Sequence, residues 1–143
     1  YIIINSKARN TIGVLVGIIV GTILNMFIIK IGTKFFPLPK GISTASIEGW
    51  EAGLKFIKPE YFITPFLAHA IGTLVATFIA ALIAVSRRKI ITLVISLLYL
   101  AGGAYMVAIL PSPMWFNLLD LIVAYMPMGM LGYWLATRLV PEG

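Results

Sequence analysis

Pro111-Ser112-Pro113-Met114-Trp115-Phe116-Asn117-Leu118-Leu119-Asp120-Leu121-Ile122-Val123-Ala124-Tyr125-Met126-Pro127-Met128-Gly129 is a stiff proline turn followed by an apolar run with one carboxylate in it. From residue 114 to about 139 the run exceeds the roughly 20 residues needed to cross the hydrocarbon core of a bilayer. An ionised Asp in such a helix costs about 2.5–3.5 kcal/mol at the bilayer centre and less toward the interface, so Asp120 needs a physical reason to be there. Pro127 lacks the N–H that would hold the preceding turn, and it predicts a kink below Asp120.

The rest of the chain has the same character. Of its 143 residues 60% are hydrophobic and only 11% charged, against about 25% charged in a soluble domain. That leaves too little polar surface to cover a core, so the expected solvent is the bilayer. The net charge of +6 does not point to nucleic acid, because the lysines and arginines cluster at the ends of apolar segments, where they anchor helices and set topology. With no cysteine, disulfides, thiol catalysis and cysteine-held metal centres are excluded. A single histidine cannot ligate a bis-His haem, and zinc normally takes several His or Cys ligands. No phosphate loop or serine–histidine arrangement is visible, so no metal, cofactor or catalytic set is expected. The chain begins at Tyr1 rather than Met, and residues before it are expected. Its first apolar run is too long for a signal-peptide core and lacks a small-residue cleavage site, which marks it as a retained helix.

Four spans are predicted, over residues 11–31, 61–85, 90–110 and 114–139. In the first, Gly13, Gly17 and Gly21 recur every fourth residue on one face. In the second, Ala68, Gly72, Ala76, Ala80 and Ala84 form another small-residue stripe. Such faces let helix backbones approach closely, which is how membrane helices associate when lipid is as apolar as leucine. The long first connection holds an extended segment, residues 36–41, because each proline disfavours helix in the residue before it. An amphipathic stretch follows at 43–57, with Ile47, Trp50, Leu54 and Ile57 on one face and a Glu51–Lys55 pair on the other. It predicts a short helix lying on the membrane face. Residues 86–89 make a basic turn, and Gly102-Gly103 allows a bend or a close approach in the third span.

The expected fold is an all-α membrane protein, a single transmembrane domain of four helices in an up-down bundle with an interfacial helix in the first connection. Lys7, Arg9, Arg87, Arg88, Lys89 and Arg138 are dense and abut the helices, which places both termini in the cytoplasm of an inner or plasma membrane. Phe35, Phe36, Trp50, Tyr61, Trp115 and Phe116 then mark the outer interface, with Tyr133 and Trp134 at the inner one.

Depth along the helices, at 1.5 Å per residue, brings the polar residues into register. His69 falls roughly 10–12 Å below the outer end of its helix, Asp120 roughly 10 Å and Asn25 roughly 9 Å, with Asn117 shallower. Tyr105, one turn below the outer end of the third span, can join them. A His–Asp pair at this depth can be a proton relay or cation site, or a hydrogen bond that only sets helix register, with Asn25 and Asn117 as interhelical glue. Glu48 and Glu51 share a face of the surface helix and could hang over the pair, although such charges generally stay solvated.

Three function classes remain. The first is a non-catalytic accessory or structural subunit, held in a larger complex or homo-oligomer through its small-residue faces. The second is a small proton- or ion-coupled transporter centred on His69 and Asp120. The third is a lipid-facing enzyme, which requires an open cavity at Asp120.

Overall fold

A computed structural model of the chain describes residues 5–43 and 45–141. Helices account for all its regular structure: α1 (Ser6–Phe35), α2 (Ile47–Leu54), a 3-10 turn (Pro59–Phe62) leading into α3 (Ile63–Ile83), α4 (Arg88–Ile109), α5 (Met114–Val123) and α6 (Met126–Leu139). Four segments are long and apolar enough to cross a membrane: Ser6–Phe35, Pro59–Ile83, Arg88–Ile109 and Met114–Leu139, the last comprising α5 and α6.

The helix of the first span is longer than its apolar core. Asn5 caps it, accepting from Lys7 N at 2.8 Å, and Phe36 before Pro37 ends it, its N–H bonding Gly32 O. Lysine and arginine propagate a helix as well as leucine does, so the hydrogen-bonded rod runs on past the hydrophobic limits at 11 and 31. The amphipathic helix is shorter than expected, eight residues rather than fifteen. Ser46 is its N-cap, accepting from Gly49 N, and it ends at Lys55. The expected Glu51–Lys55 pair does not form among the described residues; Lys55 Nζ instead lies over the Phe56 ring, 5.2 Å from its centroid.

Gly13, Gly17 and Gly21 are the residues that α1 buries, and they meet the small-residue face of α3. A Cβ at Gly13 would sit 2.9 Å from Ala80 O, one at Gly17 would run into Ala76 O, and one at Gly21 would sit 2.6 Å from Gly72 O. The two faces read separately from the sequence are therefore each other's partner. Ala68, Ala76, Ala80 and Ala84 are fully buried as a result.

On its other side α3 packs against α4 and α6. Here hydroxyls fill notches left by glycine: Thr77 and Ser96 occupy the space that Cβ atoms at Gly132 and Gly129 would take. Each hydroxyl is satisfied within its own helix. Thr73 donates to His69 O, Thr77 to Thr73 O, Thr92 to Lys89 O and Ser96 to Thr92 O, at 2.8–2.9 Å. The seam is polar in composition yet leaves no side-chain hydroxyl unpaired, a requirement in hydrocarbon.

The turn between α3 and α4 is clamped rather than loose. Asn10 of α1 accepts from Val85 N and donates to Ser86 Oγ, and Arg9 donates to Ile83 O. Arg87 takes a left-handed conformation, φ 53°. Arg88, read from the sequence as a topology-setting charge of the basic turn, is buried and donates to Ala84 O and Val140 O, tying the start of α4 to the end of α6.

Candidate functional site

Pro127 at the second position of α6 has no N–H for Val123 O and its ring crowds that carbonyl, so the last span breaks between Val123 and Met126 instead of kinking. The break matters for Asp120. In a continuous helix a residue five positions on faces away, since only i+3 and i+4 are neighbours. With the helix interrupted, Tyr125 OH donates to Asp120 Oδ2 at 3.2 Å. Gly103 of α4 makes room for it, because a Cβ there would collide with the Tyr125 ring.

His69 comes from α3, six residues beyond the start of the helix. Its Nδ1 lies 2.9 Å from both Asp120 oxygens, and its ring stacks on that of Tyr125 with centroids 5.7 Å apart and planes 26° from parallel. Asp120 is 2% exposed. An ionised carboxylate only accepts, so it can receive the Tyr125 proton and a proton on Nδ1 together. That arrangement turns Nε2 away from Asp120, and Nε2 makes no hydrogen bond among the described residues. The site is a histidine held by one nitrogen, with the other available to a second molecule.

Two cavities meet at this ring. One, of about 240 Å3, lies beneath α2 and is lined by Trp50, Tyr61, Ser112, His69 and Asp120. Trp50 Nε1 donates to Pro111 O at 2.6 Å, which fastens α2 across the turn between α4 and α5. The other, of about 390 Å3, lies between α1 and α4 and is lined by Asn25, Tyr99, Gly102, Tyr125 and the same His69.

The other expected members of the polar layer divide. Asn25 lines the second cavity with its Oδ1 buried and without a partner. Tyr105 also lines it, but from the rim, 65% exposed. Asn117 belongs elsewhere: it accepts from Ser112 Oγ and donates to Ser112 O, bracing the turn at residues 111–113. Glu48 and Glu51 are exposed and make no ion pair among the described residues. No group of three His, Asp or Glu side chains is close enough to hold a metal ion among the described residues.

Tyr125, Tyr99 and Trp50 were not expected here from the sequence. Trp50 reads as an interface anchor, Tyr99 sits mid-span with no pattern to single it out, and Tyr125 lies on the wrong face of an unbroken helix. The one available signal was Pro127, two residues after Tyr125. No family model, curated protein or solved structure matches the chain.

Proposed function

We propose that this chain is a small proton-coupled membrane transporter working through His69 and Asp120 in the outer leaflet. In this reading the four spans alternate in direction, α2 lies on the outer membrane face, and both termini are cytoplasmic. The observation that carries it is the position of His69 in the wall between two cavities, one nitrogen on Asp120 and the other unbonded. An intramembrane ionisable pair facing a cavity is the usual mark of a substrate or proton pathway, and a concave, mostly apolar space with a few polar groups is the usual form of a small-ligand site.

Toward the cytoplasmic end the path is closed. The seam of Thr73, Thr77, Thr92 and Ser96 is filled and internally hydrogen-bonded, so transport requires α6 to separate from α3 and α4 there. The test is reconstitution into liposomes holding a trapped pH-sensitive dye, with a proton gradient and a screen of added solutes. Wild-type protein should carry protons with at least one solute, and Asp120→Asn should lower that flux by tenfold or more while leaving the protein monodisperse. A wild-type protein that moves nothing across the screen, or equal flux in the variant, sinks the proposal.

A second reading, a non-catalytic subunit of a larger complex or homo-oligomer, is favoured by the position of α1. It rests mainly on α3 and leaves Leu15, Ile19, Ile23, Met26 and Phe27 exposed along its length. A chain recovered only as a monomer in mild detergent, with no companion, would count against it. The lipid-facing enzyme has less behind it: the serine hydroxyl in the cavity with the dyad, Ser112 Oγ, is already donated to Asn117.

A further inference from the structure

His69 has one ring nitrogen engaged and one open. Nδ1 is held on Asp120, and Nε2 has no hydrogen-bond partner among the described residues. Nε2 is not sealed in the packing. The His69 side chain is 24% exposed, and Asn25 Oδ1 is the one side-chain oxygen or nitrogen among the described residues that is both buried and unpaired. Nε2 therefore opens onto the cavities that meet at the ring. With the Nδ1 proton on Asp120, Nε2 carries a lone pair, so it takes a proton or an N–H or O–H donor.

Charge narrows the choice. A neutral imidazole beside an ionised Asp120 leaves one net negative charge, and a buried charge is costly unless it is answered. Nothing around it supplies the opposite sign. The other ionisable groups lining the two cavities are Tyr61 before α3, Tyr99 and Tyr105 of α4, and Tyr125 at the helix break; α1 and α2 present none. Among the described residues no Lys or Arg lines either cavity, and Asp120 is the only carboxylate that does. Two species neutralise the site through Nε2: a proton, or a cation that donates an N–H to it.

The surroundings decide the kind of cation. A metal ion takes several ligands, and no group of three His, Asp or Glu is close enough to hold one among the described residues. A bare ammonium ion would give up its hydration against walls of Trp50, Phe62, Leu110 and Phe116. An apolar or aromatic body gains by burial against those side chains, and aromatic faces attract a positive charge attached to it. Cavities of about 240 and 390 Å3 lie at or below the low end of the ~300–1,000 Å3 of small-molecule sites, which suits one ring or a short chain.

We propose that His69 Nε2 binds the protonated nitrogen of a small hydrophobic amine, in competition with a proton, so that one ammonium exchanges for one proton. The ammonium donates its N–H to the neutral ring. A proton on Nε2 turns that nitrogen into a donor and expels the amine. Charge is conserved, since the proton leaves to water as the cation arrives. As a substrate class this rests on the transport reading above; as a binding site it is tested without flux.

Isothermal titration calorimetry of the purified full chain in mild detergent is the test, with three ligands of one shape. Phenethylamine carries charge and N–H, phenethyltrimethylammonium keeps the charge without the N–H, and 2-phenylethanol keeps a donor without the charge. At about pH 8 the amine should bind tenfold or more tighter than either of the others. At about pH 5, below the ordinary imidazole range, its affinity should fall tenfold or more although the amine stays charged at both. His69→Asn keeps an amide N–H where Nδ1 stands and removes Nε2, and should bring the amine down to the quaternary ligand's level. Equal binding of amine and quaternary ligand overturns the proposal, as does binding of none, affinity that ignores pH, or wild-type affinity in His69→Asn. If that variant does not fold, the ligand and pH comparisons on the wild type decide alone. A chain that binds the amine but passes nothing in liposomes sinks transport only; one that carries another solute and ignores the amine sinks this site only.

Discussion

Asp120 accepts from both His69 Nδ1 and Tyr125 OH, and the two donors depend on it unequally. Removing the carboxylate strands a partly buried imidazole and a buried phenol at once, whereas removing the phenol leaves His69 paired. Breaking a buried pair from one side costs about 3–5 kcal/mol, and losing one hydrogen bond to a charged group about 1.5–3 kcal/mol. Thermal unfolding in detergent should therefore rank Asp120→Ala well below Tyr125→Phe, with Tyr125→Phe below wild type. An Asp120→Ala protein as stable as wild type would show that the pair is not formed. Depth along the helices put His69 and Asp120 in one layer, because both positions count from proline-marked helix starts, but only the packing of α5 against α3 brought Nδ1 to 2.9 Å from the carboxylate. Asn117 could not be placed that way. It shares a face with Asp120 at three residues' spacing, but its amide found Ser112 in the turn instead of the pair.

At the scale of the elements, two glycines on neighbouring helices, Gly17 of α1 and Gly102 of α4, should respond in opposite ways. A side chain at Gly17 runs into the backbone of Ala76 and the Cβ of Ala80, which forces α1 off α3. Overpacking of this kind costs about 1–3 kcal/mol, and Gly17→Leu should lower the melting temperature accordingly. Gly102 has open space instead, and replacing a mid-helix glycine there recovers about 0.5–1 kcal/mol of backbone entropy. If Gly17→Leu melts with the wild type, the α1–α3 contact is not the close one described. Both glycine patterns were visible as small-residue spacing, yet spacing could not say which face met which. The reason is that α1 is apolar all round, so nothing in its pattern distinguishes a lipid face from a protein face.

For the whole molecule, the absence of cysteine makes single-cysteine labelling a clean probe of sidedness. With intact cells and a membrane-impermeant maleimide, Lys40→Cys should be labelled and Lys89→Cys should not, if the first connection lies outside. The reverse pattern would invert the proposed topology and place the His69 layer in the inner leaflet. The same reagent reads the tether over the smaller cavity. Trp50→Phe removes the indole donor to Pro111 O, and Ser112→Cys should then label several-fold faster than it does beneath an intact Trp50.

Composition and pattern alone were enough for the helical class of this protein and for the number of its segments long and apolar enough to cross a membrane. Each of these depends on one helix at a time, through length, hydropathy and rise per residue. Helix rotation was decided by contacts between helices, and the path of the chain through the break that Pro127 makes at Ala124–Tyr125 was visible only in the folded chain. Rotation determined that the glycine ladder and alanine stripe close on each other and that Arg88 turns inward. The break carried Tyr125 onto Asp120. The stretch at residues 111–129 shows both limits: its charge and its proline were legible in the sequence, but the tyrosine that completes the site depends on how the chain turns once the proline has broken the helix.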